Sequence, residues 1–189
     1  MTRIVGGSRG GRRIATPTGR DTRPTSDRVR EALFAALDSA VDIAGCRFAD
    51  LYAGSGAVGL EAASRGAADV WLVESDARAA RTARENIDAL ALAEVCRLTI
   101  ARVARAVANP ADRSYDVVFA DPPYSVGEAE IATMLGALVD GGWLAGHAVL
   151  VLERASRSPE PAWPPGLSAG RARRYGDTTL WYAHAAPGP

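Results

Sequence analysis

Residues 50–61 read Asp-Leu-Tyr-Ala-Gly-Ser-Gly-Ala-Val-Gly-Leu-Glu. Gly54, Gly56 and Gly59 form a G-x-G-x-x-G pattern between a short apolar run and a helical one. This commits the chain to a strand–loop–helix unit, because glycine is needed where backbone turns tightly and comes close to a ligand or a neighbouring strand.

The rest of the chain repeats the alternation. Phe48 to Leu51 reads as a buried strand, Tyr52 to Gly56 as a loop, and Ala57 to Arg65 as a helix capped by Gly66. Val70 to Val73, Leu98 to Ala101, Tyr115 to Ala120 and Ala148 to Leu152 read as further strands. Asp76 to Leu92 and a segment marked by Ile131, Leu135 and Leu138 read as helices. Residues 155–170 are rich in Pro, Ser and Gly and read as a loop. Arg171 to Tyr175 and Thr178 to Ala183 flank Gly176-Asp177 as an antiparallel hairpin. Strands alternating with helices predict an α/β fold, with an open, mostly parallel sheet covered on both faces.

The amino-terminal end differs from this body. Residues 1–30 carry Arg3, Arg9, Arg12, Arg13, Arg20, Arg23, Arg28 and Arg30 against Asp21 and Asp27, a net charge of +6 in a chain whose total is zero. A basic extension over residues 1–24, ahead of a main domain at 25–189, points to a polyanion partner; the bland alternative is a solvated tail. Ile4-Val5 and Arg13-Ile14 can pair as a short hairpin around Gly10-Gly11, or the arm orders only on binding. Ser26 suits the N-cap of a helix carrying Val29, Leu33, Phe34 and Leu37. Arg28 and Arg30 on it either reach phosphate or pair with Asp27 or Glu31.

The glycine loop suits two ligands. A dinucleotide would set its pyrophosphate at the helix N-terminus. S-adenosylmethionine would lay its methionine part along Tyr52, Gly54, Ser55 and Gly56, and its ribose at Glu74, which ends the second strand. Asp50, an acid just before the loop, favours S-adenosylmethionine by offering a partner for its ammonium group.

A second motif, Asp121-Pro122-Pro123-Tyr124, follows the fourth strand directly. By itself it is a turn. Beside a cofactor loop it becomes chemistry, because an exocyclic amine on a nucleic-acid base is a poor nucleophile. Asp121 and the carbonyl of Pro122 can each accept one N–H. Two acceptors favour a pyramidal nitrogen whose lone pair faces an incoming methyl group. The prolines stiffen the loop, and Tyr124 offers a stacking face.

These residues resemble the RsmD family, bacterial methyltransferases that modify guanine N2 in small-subunit 16S ribosomal RNA. The resemblance rests on Arg3-Ile4 with the Gly/Arg stretch, Arg23-Pro24-Thr25 with Asp27-Arg28-Val29-Arg30-Glu31, Asp50 to Glu61, and Asp121 to Tyr124. It implies a Rossmann-like, seven-stranded S-adenosylmethionine-dependent methyltransferase fold, closed by the antiparallel hairpin. It implies cofactor contacts from Asp50, Gly54, Gly56 and Glu74, and RNA contacts from the basic segment (Arg3, Arg9, Arg12, Arg13, Arg23, Arg28 and Arg30). The partner it implies is 16S rRNA in the small subunit or an assembly intermediate. Relatives place an acid or amide after the third strand to meet the adenine amino group. Arg102 stands there, and arginine accepts no hydrogen bond. Either the backbone at Arg102-Val103 makes that contact or the correspondence shifts.

Other classes compete with this one. A DNA amino-methyltransferase or a protein-glutamine methyltransferase can use the same tetrapeptide. A nicotinamide oxidoreductase or a non-catalytic RNA-binding protein leaves part of the pattern unexplained. Cys46, Cys96, His147 and His184 lack metal-ligand spacing, so no metal is expected and the cysteines read as reduced core thiols. Trp71, Trp143, Trp163 and Trp181 read as core or surface anchors. With no signal core and no long apolar run, a cytoplasmic monomer is expected.

Overall fold

A computed structural model describes residues 2–17 and 27–188. A seven-stranded sheet runs in the order β5-β4-β3-β6-β7-β9-β8. Its members are β3 (Arg47–Leu51), β4 (Asp69–Glu74), β5 (Cys96–Ile100), β6 (Tyr115–Ala120), β7 (Leu144–Ala155), β8 (Leu167–Tyr175) and β9 (Thr178–Ala185). β3 to β7 are parallel, and β9 and β8 add the antiparallel edge. The predicted α/β architecture is present in this order.

Helices α1 (Asp27–Leu37), α2 (Ala57–Ser64) and α3 (Ala77–Ala89) pack on one face, and α4 (Val103–Ala106) and α5 (Glu128–Asp140) on the other. The first face closes around Leu33, Phe34, Phe48, Leu60 and Leu72, all fully buried. The second closes around Leu51, Tyr115, Leu135 and Leu150, with Trp71 stacked on Trp143 at 4.7 Å. Each such side chain contributes roughly 1.5–3 kcal/mol by leaving water. α2 is rich in small residues (Ala57, Gly59, Ala62, Ala63, Ser64) and is buried along its whole length. A Cβ on Gly59 would lie 2.4 Å from Leu72 Cδ2, so glycine there lets α2 sit down on β4.

Several boundaries differ from the sequence reading. α3 starts at Ala77 because Asp76 is its N-cap, accepting the amides of Arg78 and Ala79. It ends at Ala89, three residues early, because Ala91 turns to φ +52°. β7 runs well beyond 148–152, since β9 pairs with it from Val149 to Ala155. α4, a single turn, was not foreseen. Ser26, the expected N-cap of α1, lies outside the described residues.

The amino-terminal segment forms the hairpin expected, with a shifted pairing. β1 (Thr2–Arg3) meets β2 (Arg13–Ile14) through Thr2 with Ile14 and Arg3 with Arg13. Ile4 and Ile14 are buried in the same core as α1 and α2. The segment is held by polar contacts as well. Glu61 of α2, fully buried, accepts Val5 N–H at 2.7 Å and Gly6 N–H at 2.8 Å.

Candidate active site

β3 and β6 are neighbours, and the strand order departs from them in both directions. This is the switch point of an open α/β sheet, where loops diverge and leave a crevice at the carboxyl ends of the strands. Leu51 pairs with Ala120, and Asp121 N–H donates to the Leu51 carbonyl at 3.3 Å. The glycine loop and Asp121 to Tyr124 therefore leave adjacent strands at the same level.

The loop is shaped by left-handed backbone. Tyr52 (φ +66°), Gly54 (φ +57°) and Gly56 (φ +82°) all lie in that region. Tyr52 carries the strain of a side chain there; its hydroxyl lies 3.7 Å from Met134 Sδ on α5. Glu74, at the end of β4, ties the loop down by accepting Gly54 N–H at 2.8 Å and Asp76 N–H at 2.7 Å on its two oxygens. Ser55 is buried, and its carbonyl accepts Asn86 Nδ2 at 3.0 Å. A Cβ on Gly54 would meet nothing within 4 Å, so the crevice is open there.

Asp50 lies beneath the loop at 1% exposure and accepts Gly59 N–H at 2.8 Å. Burial pushes its carboxyl up to about 7, with the Gly59 amide opposing and the charge of Glu74 reinforcing. This carboxylate occupies an amide in the first turn of α2, where a pyrophosphate would bind, and opposes a second anion there. That disfavours a dinucleotide.

Asp121 keeps partial exposure while its carboxyl is held well above the usual range. Burial is the main cause; Glu153 and Asp50 add like charge, and Arg154 opposes them. Glu153 follows Leu152, the register partner of Ala120, so Asp121, one residue past β6, stands level with Glu153 on β7. Val126 N–H donates to the Pro123 carbonyl at 2.9 Å, while the Pro122 carbonyl takes no donor among the described residues. Arg154 donates to Glu128 at 2.6 Å and to the Val126 carbonyl at 3.3 Å, fixing the segment that follows. Tyr124 is 68% exposed, a free aromatic face at the mouth of the crevice. Val103 begins α4; its side chain is core, and Arg102 before it is exposed.

The arginines divide. Arg30 is fully buried, pairing with Asp27 at 3.0 Å and lying 3.5 Å from Glu61, and it donates to the Arg3 carbonyl. Contact with phosphate is corrected to pairing with Asp27, because a buried guanidinium stays only where acids and carbonyls compensate it. Arg9 and Arg12 donate to the Leu90 and Ala89 carbonyls at the end of α3, at 2.7 and 2.9 Å, a cap that also suits the helix dipole. Arg3, Arg13 and Arg28 are exposed. Arg23 lies outside the described residues.

Sequence reasoning missed Asn86, Glu61, Glu153 and Arg154. Asn86 clamps Ala15 through both amide atoms, at 2.8 and 2.9 Å, while holding Ser55, so it joins the amino-terminal segment to the loop. The available signal was a polar residue inside an apolar stretch: Glu61 in Gly-Leu-Glu-Ala-Ala, and Glu153-Arg154 after Val-Leu-Val-Leu.

A family profile described as "Conserved hypothetical protein 95" matches residues 2–184. The chain is 36% identical over 175 residues to ribosomal RNA small subunit methyltransferase D of Escherichia coli strain K12, covering 90% of this chain and 83% of that protein. It is 34% identical over 161 residues to the protein of the same name from Haemophilus influenzae, covering 83% and 80%. The solved structure of yhhF from Escherichia coli superimposes with a TM-score of 0.86 at 31% identity, over 98% of each chain.

Proposed function

Since this chain belongs to the RsmD family, the one described as conserved hypothetical protein 95, we propose that it transfers a methyl group from S-adenosylmethionine to the exocyclic N2 of one guanine in 16S rRNA, within the small ribosomal subunit or an assembly intermediate. The observation that carries this reading is the adjacency of the glycine loop and Asp121-Pro122-Pro123-Tyr124 at one switch point. We read the protein as a cytoplasmic monomer.

The loop suits this donor. Open space lies over Gly54, the partly exposed carboxylate of Glu74 faces ribose hydroxyls, and Asp50 supplies negative charge from beneath, toward an ammonium group. The first-turn amide of Val103 offers a backbone donor to the adenine. S-adenosylmethionine, when bound, supplies an electrophilic methyl group.

The chain's own residues act on the amine. Asp121 and the Pro122 carbonyl accept its two N–H groups and aim its lone pair. Tyr124 stacks on the extruded base. The amine nitrogen becomes acidic once methylated, and Asp121, with its raised proton affinity, accepts the released proton. The exposed Arg3, Arg13 and Arg28 contact phosphate, with Arg23 as a further candidate. Residues 1–24 serve as the RNA-binding extension of a methyltransferase domain at 25–189.

The test is transfer of labelled methyl groups to small subunits lacking the modification, followed by nucleoside analysis. N2-methylguanosine at one site supports the proposal. Transfer to DNA or protein instead would keep the Asp121 mechanism and remove the substrate. Calorimetric binding of NAD in place of S-adenosylmethionine would overturn both.

A further inference from the structure

The antiparallel edge of the sheet carries a feature that methyl transfer does not use. A cavity of about 220 Å³ lies between the end of α1 and the β8–β9 hairpin, lined among others by Ser39, Val149, Arg171, Arg173, Tyr182 and His184. None of its lining residues is acidic.

A break in register builds it. Ala169 pairs with Ala183 and Ala172 with Trp181, so Gly170 and Arg171 together oppose Tyr182. This is a β-bulge, which re-aims the side chain that follows it. Arg173 pairs with Leu180, and β9 alternates, so Leu180, Tyr182 and His184 share the face toward α1. Arg171, two residues from Arg173, lies on that face as well, and the bulge sets Gly170 beside it against Tyr182. Gly170 is needed for the packing, since a Cβ there would lie 3.3 Å from the His184 ring and 3.1 Å from the Tyr182 carbonyl.

The polar groups are left waiting. Tyr182 is 8% exposed, and its buried hydroxyl has no hydrogen-bond partner. Burial pushes that phenol up to about 12, so it remains a donor. Arg171 and Arg173 are exposed and form no ion pair among the described residues, whereas Asp38, just past α1, is engaged by Arg65 at 3.3 Å.

We propose that the Arg171–Arg173–Tyr182–His184 groove binds a backbone phosphate of the RNA substrate, away from the methylated base. The inference rests on the RNA reading above. Two guanidiniums and a phenol suit the several acceptor oxygens of a phosphodiester. Val149 lies four residues before Glu153, roughly 13 Å down the strand, and β9 is two strands from β6, about 10 Å across. The groove is thus a few nucleotides of chain from Asp121. Arginines on an edge strand also guard against edge-to-edge pairing, but that role needs no cavity and no buried hydroxyl.

The test compares R171A/R173A and Y182F with R174A, whose side chain belongs to the same strand but not to the groove. RNA affinity is measured against salt, with methyl-transfer kinetics alongside. The double variant should show a slope of log K on log salt shallower by about 1.5, a KM for RNA raised at least tenfold, and an unchanged kcat. Y182F should weaken RNA binding a few-fold, and R174A should match wild type. Equal losses in R174A and the double variant mean diffuse charge only and overturn the site, as does no loss in the double variant.

A second probe separates this failure from failure of the RNA reading. Tripolyphosphate should raise the Tm of wild type and not that of R171A/R173A. If wild type binds no RNA but keeps this difference, the groove stands as an anion site and the substrate reading falls. Equal Tm shifts in both proteins overturn the groove.

Discussion

The carboxylate of Asp50 accepts the amide N–H of Gly59 at 2.8 Å, so an acid one residue before the end of β3 caps the helix that follows the glycine loop. One bond links strand, loop and helix, and it does so with a group that is 1% exposed.

Asp50 therefore makes stability and cofactor affinity run in opposite directions with pH. The carboxyl loses its proton near 3.8 when unfolded and near 7 when folded. Between these limits the folded state holds a proton that the unfolded state lacks. Its contribution is full below about pH 4 and is lost as pH rises to about 7. Charge appears on Asp50 over the same upper range, so affinity for S-adenosylmethionine should rise through pH 7. Urea titrations and calorimetry from pH 5 to 8 read the two trends. Asp50→Asn should flatten both and weaken binding at pH 8; unchanged binding would remove Asp50 from the cofactor site.

Gly59→Ala should destabilise the fold by about 1–3 kcal/mol, the usual cost of overpacking. The new methyl group meets Leu72 at 2.4 Å and Val70 at 3.1 Å. Adding Leu72→Ala should make the pair less costly than the sum of the single changes, as read from denaturation midpoints.

Asp121→Ala should abolish turnover and leave affinity for S-adenosylmethionine nearly intact. A large loss of cofactor binding would contradict its assignment to the amine. Glu153→Gln should act on Asp121 through charge. Removing the neighbouring carboxylate lowers the Asp121 pKa, so the acid limb of the kcat/KM profile should move to lower pH. A profile that stays in place would separate Glu153 from the chemistry.

Glu61→Ala should release the amino-terminal hairpin. Its carboxylate holds Val5, Gly6 and Arg65 and lies 3.5 Å from Arg30, and removal leaves a buried guanidinium short of an acid. A loss of about 3–5 kcal/mol is expected. Limited proteolysis should then cut first within residues 2–17, and uniform resistance there would show that Ile4 and Ile14 alone suffice.

The alternation of apolar strands and helices determined the α/β class, and turn chemistry at Gly176-Asp177 determined the closing hairpin, because both are local patterns. The glycine loop and Asp121 to Tyr124 were legible for the same reason: each motif is short and follows a strand. Boundaries were less so. Pairing with β9 extends β7, and β9 lies far along the chain.

Tertiary structure alone decided which charges are free. Arg30 and Arg28 are two residues apart and look alike in sequence, yet one is buried between Asp27 and Glu61 and the other is exposed. Glu61 has its buried role only because the hairpin returns to α2, fifty-six residues from Val5. The bulge that sets both Gly170 and Arg171 against Tyr182 depends on register between two strands, which the sequence of either strand does not encode. A side chain's type sets what it can bind. Burial and neighbours, brought together by long-range packing, set whether it is available to do so.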